Sequence, residues 1–61
     1  GSMTIYIVWF YDSYGNRDLV AITNEPMKWI EENNEQRVND GEEPEKLDDF
    51  EIEAYGAYIY D

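Results

Sequence analysis

From Met3 to Tyr11 the chain is almost entirely apolar, β-branched or aromatic (M-T-I-Y-I-V-W-F-Y), the composition of a pleated strand. Alternation along it gives two greasy faces, Ile5, Ile7 and Trp9 on one and Tyr6, Val8 and Phe10 on the other, because successive strand side chains point to opposite sides. A strand apolar on both sides is normally central and covered twice. Asp12-Ser13-Tyr14-Gly15-Asn16-Arg17 reads as a turn, with Gly15-Asn16 supplying residues that tolerate positive φ. Asp18–Thr23 is the returning strand.

Asn24-Glu25-Pro26-Met27 carries helix-start signals. Asn24 or Thr23 can cap, Pro26 fits the first turn, and Glu25 suits the positive end of the dipole. The spacing predicts a helix to about Val38. Its apolar stripe is thin, with Met27, Ile30 and Val38 on one face, Asn34 interrupting them and Trp29 at the margin, so the helix packs by one edge. Asn39-Asp40-Gly41 ends it. Glu42–Asp49 is an acidic connector in which Pro44–Leu47 suits a short helical turn. Phe50–Tyr60 is a last strand, whose alternation changes at Tyr55-Gly56, a place for a bulge or a close backbone approach.

The order is strand, strand, helix, strand. A right-handed crossover from the second strand over the first sets the third on the first strand's free side. The expected fold is therefore α+β, a ββαβ unit with a three-stranded antiparallel or mixed sheet of order 2-1-3 and one helix on one face. Residues 3–61 make one small domain, and Gly1-Ser2 before Met3 reads as an expression-tag scar. The helix leaves one face bare, expected to carry Tyr6, Val8, Phe10, Tyr55 and Ile59. A bare aromatic face needs another layer, and a second copy in a symmetric homodimer supplies it most simply.

Composition narrows the chemistry. The 61 residues include no Cys and no His, so thiolate and imidazole catalysis and thiolate or imidazole metal sites have no residues to use. The serine outside the scar is Ser13, in the turn. Lys28 and Lys46 sit among carboxylates, which favour the ammonium form and make a poor nucleophile. A carboxylate pair needs a cleft, and so small a unit hardly forms one. Asn39-Asp40-Gly41-Glu42-Glu43 is oxygen-rich but lacks the calcium-loop pattern. The expectation is a non-catalytic protein with no cofactor and no metal. The longest apolar stretch, Ile5–Tyr11, falls far short of a bilayer span and lacks the preceding basic region of a signal peptide, so a cytoplasmic protein without membrane contact is expected.

The net charge is −11, from 15 acids and 4 bases. Such a chain repels nucleic acid and anionic membrane and is drawn to basic protein surfaces. Residues 25–53 hold 12 of the acids and 3 of the bases, a balance of −9. Glu31, Glu32 and Glu35 fall on the helix, Glu42, Glu43, Glu45, Asp48 and Asp49 in the connector, and Glu51 and Glu53 on the last strand. These ten are the candidate partner-binding residues. Strand residues i and i+2 lie about 7 Å apart, near the phosphate spacing of a nucleic-acid strand, so Glu51 and Glu53 could act in DNA mimicry. The plainer function of each carboxylate is solubility. A self-associating assembly module built on the aromatic sheet face is the competing class.

The opening T-I-Y-I-V-W-F-Y-D, the Gly-Asn hairpin, the helix N-E-P-M-K-W-I-E-E and the closing D-F-E-I-E-A-Y resemble small acidic proteins encoded by phages and prophages. The resemblance covers most of the chain as a pattern of apolar and acidic positions. It implies an inhibitor of a host defence or nucleic-acid-handling protein, acting in the host cytoplasm on a basic protein surface. It carries no residue roles.

Overall fold

A computed structural model describes residues 1–60. Strand β1 (Ser2–Tyr11) is followed by β2 (Arg17–Thr23), helix α1 (Pro26–Asn39), a 3-10 turn (Leu47–Asp49) and β3 (Phe50–Ile59). The sheet order is β2-β1-β3, and β1 pairs antiparallel with both neighbours. The α+β class, the ββαβ order and the central place of the first strand follow the sequence expectation, and the sheet is antiparallel throughout.

Local chemistry explains the joints. In the β1–β2 turn the Asp12 carboxylate accepts from the backbone N–H groups of Tyr14 (2.8 Å) and Asn16 (3.0 Å), an Asx-type brace. Gly15 takes φ 82° there, as a three-residue hairpin loop with a left-handed position requires. At the helix start Pro26 occupies the first turn, and the Thr23 hydroxyl accepts from the Glu25 N–H at 3.0 Å. At its end the Glu42 N–H bonds the Arg37 carbonyl at 2.8 Å and the Gly41 N–H bonds that of Val38 at 3.0 Å. With Gly41 at φ 84°, this is a Schellman ending.

Two irregularities shape the sheet. On β2, Val8 pairs with Ala21 and Trp9 with Leu19, so Val20 is a bulge. On β3, Ile5 pairs with Gly56 and Tyr6 with Ala54, so Tyr55 is a bulge, at the place where the alternation changes. Because β2 ends opposite Tyr6, the Ser2–Ile5 and Gly56–Ile59 segments continue as a two-stranded ribbon.

The helix covers the face that carries Tyr6, Val8 and Phe10, a correction to the expectation that this face is bare. Val8 has 0% of its surface exposed and Ile30, on α1, 4%. Trp29 meets Phe50 edge-on at 6.4 Å, and Phe50 meets its cross-strand partner Phe10 at 5.3 Å. The physical reason lies on the opposite side. Glu51 pairs across β1 with Trp9 and Glu53 with Ile7, so both carboxylates share the Ile5, Ile7 and Trp9 face. A helix placed there would desolvate two charges. Instead the Arg17 guanidinium lies 4.0 Å over the Trp9 ring, and Leu19 and Ile22 stay exposed. Met27 and Val38, expected in the helix stripe, are also exposed.

Candidate functional site

The carboxylates fall into three environments. Glu31, Glu32 and Glu35 are exposed. At 3.6 residues per turn they lie on the flank of α1 turned away from buried Ile30. No ion pair engages them among the described residues.

The second group surrounds Arg37. Its Nε donates to the Glu43 carbonyl at 2.8 Å, while its terminal nitrogens lie 3.3 Å from the Glu42 carboxylate and 3.1 Å from that of Glu45. Beside it, Asn34 donates to the Glu45 carbonyl at 3.0 Å and accepts from the Glu45 N–H at 2.8 Å. The connector is thus tied back along the helix. Glu45 is half-buried, and Glu43 keeps its carboxylate in solvent. Asp48 and Asp49 follow on the 3-10 turn, Asp48 exposed and Asp49 half-buried.

The third group is on the other side of the molecule. Glu51 forms a 2.9 Å ion pair with Arg17, and Glu53 accepts the indole N–H of Trp9 at 3.1 Å. The ten candidate residues therefore do not form one surface. The helix flank and connector lie on the helix side, and Glu51 and Glu53 belong to the open sheet face. Both of these carboxylates already have partners, which weakens their suitability as a phosphate pair.

Of the residues proposed for self-association, Val8 is closed off beneath the helix, and Tyr6 and Phe10 are half-buried on the same face. Tyr55 and Ile59 remain exposed on the ribbon. Asn34 and Arg37 organise the connector, yet the hydrophobic pattern gives no sign of it. Arg37 alone offered a signal, as a basic residue in the last helical turn, where it suits the negative end of the dipole.

A depression of about 230 Å³ lies between Trp29, Phe10, Phe50 and Arg37. That is smaller than the usual small-molecule site of roughly 300–1,000 Å³. Among the described residues no group of three or more carboxylates is arranged to hold a metal ion. No helix among the described residues is long and apolar enough to cross a membrane. No family model, no curated protein and no solved structure matches the chain.

Proposed function

We propose that the protein is a non-catalytic inhibitor of the phage-encoded type, which binds a basic surface on a bacterial defence or nucleic-acid-handling protein through its helix-side acidic surface. The observation that carries this reading is the excess of unpaired carboxylates there. Glu31, Glu32, Glu35, Glu43 and Asp48 are exposed and make no ion pair among the described residues. Like charges at this density repel one another and cost stability. In a domain with so small a core, that cost is offset when the field meets a cationic partner. A nucleic-acid-binding groove offers such a partner, and the acidic surface would then compete with phosphate.

The test is relief of defence in bacteria. The protein is expressed in strains carrying individual restriction or CRISPR systems, and phage plating efficiency is measured. The expected result is restored plating with one system, lost when Glu31, Glu32, Glu35, Glu43 and Asp48 are all changed to Lys. Glu42 and Glu45 are kept because they hold Arg37. Binding to the purified target should weaken steeply with added salt, as phosphate contacts do. Relief that survives the charge reversal overturns the acidic-surface mechanism, and relief of no system overturns the inhibitor reading.

A further inference from the structure

The β1–β3 ribbon leaves the body of the domain with little to support it. Ser2, Met3, Thr4 and Ile5 pair with Ile59, Tyr58, Ala57 and Gly56, beyond the reach of β2. An isolated two-stranded ribbon is marginal in water. Here it also exposes large apolar side chains, with Tyr55 71%, Tyr58 57% and Ile59 81% accessible.

The dimensions agree. The radius of gyration is 13.2 Å, against about 10.5 Å for a compact chain of this length. The accessible surface is 4749 Å², where a compact monomer of this mass exposes roughly 4,200 Å². The excess, about 550 Å², is roughly two thirds of the 800 Å² or so that each partner buries in a standard interface.

The outer edge of β3 has no strand beside it among the described residues, because β3 pairs with β1 alone. Natural sheets guard such edges with charges and bulges. Glu51 and Glu53 guard the first half of β3, and the bulge at Tyr55 ends that protected stretch. Ala54–Tyr60 (A-Y-G-A-Y-I-Y) contains no charged side chain. Small Gly56 and Ala57 lie at its centre, and a Cβ added to Gly56 would meet nothing within 4 Å.

From this edge we propose that two copies of the chain pair antiparallel through Gly56–Ile59 of β3, past the bulge, joining two three-stranded sheets into one of six strands. Charge selects the occupant. A basic partner is drawn to the acids and finds none on this segment. Two copies carrying −11 each can meet closely only where charge is absent, and this segment is such a place. An antiparallel strand pair is self-complementary about a two-fold axis, and cross-strand tyrosine and isoleucine pairs would fill it. The contact uses none of the helix-side carboxylates, so it stands or falls separately from the inhibitor reading.

Light scattering on the whole chain tests the pairing from micromolar to millimolar concentration. The expected mass is twice 7.3 kDa, falling to the single mass in A57K/I59K with an unchanged far-UV circular dichroism spectrum. Should that variant unfold, the cysteine-free sequence allows a second reading. Single cysteines replacing Gly56, Ala57 or Tyr58 should give a disulfide-linked dimer on oxidation at one or more positions, since opposed strand residues lie within disulfide reach. Ile22→Cys, on the open sheet face, should not. A monomer at every concentration overturns the proposal. So does a dimer that survives in folded A57K/I59K, or one that crosslinks through Ile22→Cys and through none of the edge cysteines.

Discussion

Asn34 grips Glu45 at both of its backbone polar groups, donating to the carbonyl at 3.0 Å and accepting from the N–H at 2.8 Å. The two residues are 11 apart in sequence. Their pairing does for the connector what a neighbouring strand does for a strand, satisfying donor and acceptor together. The first prediction concerns this clasp. Judged by hydrophobic pattern alone, Asn34→Leu completes the helix stripe and should stabilise. The geometry gives the opposite sign, because Leu leaves a part-buried N–H and carbonyl without partners. We expect a loss of about 1–3 kcal/mol, measured by urea denaturation.

Among the described residues Val8 alone has no exposed surface, and it lies on the central strand, on the face that the helix covers. Val8→Ala opens a cavity that neighbouring side chains fill only in part. The expected loss is about 2 kcal/mol, or a fall in Tm of roughly 10 °C for so small a domain. Thermal melting checks it. Ile22→Ala, on the open face, should change the melt far less, since Ile22 is 61% exposed.

Gly41 and Gly56 make a matched pair. Gly41 holds φ 84° in the Schellman ending, a conformation that costs L side chains about 1 kcal/mol or more. Gly56 lies in a strand with open space where its Cβ would be. Gly41→Ala should therefore lower stability by about 1 kcal/mol, while Gly56→Ala should lower it not at all and gain up to about 1 kcal/mol from the stiffer unfolded chain. Parallel denaturant curves on the two variants distinguish the cases.

Much of the architecture was legible in the residues. The apolar run of β1, the Gly15 turn, Pro26 at the helix start and Gly41 at its end each have a local cause, and local causes can be read locally. The change of alternation at Tyr55-Gly56 marked a place for a bulge or a close backbone approach, and a bulge falls there, on Tyr55. The Val20 bulge had no such sign, because Leu19, Val20 and Ala21 are all apolar and a shift among them leaves the pattern unaltered. The face chosen by the helix was not legible either. With β1 apolar on both sides, the choice rests on what β3 contributes across the sheet, phenylalanine on one side and two glutamates on the other. The same relation split the acidic residues between two surfaces, which a linear count of charge cannot reveal. Asn34 looked like a flaw in a stripe because the partner that explains it is a backbone segment, and backbone groups carry no sequence label.

The Arg37 clasp has a consequence for recognition. A loose acidic tail must surrender its conformational freedom when it docks, at roughly 1–2 kcal/mol for each backbone residue fixed. Residues 42–45 have surrendered theirs during folding, through the Schellman turn, Asn34 and Arg37. A partner meeting this stretch would encounter a rigid template and lose little affinity to ordering it. Loosening the clasp at Arg37 should then weaken docking chiefly through entropy, even though removing a positive charge makes the surface more acidic.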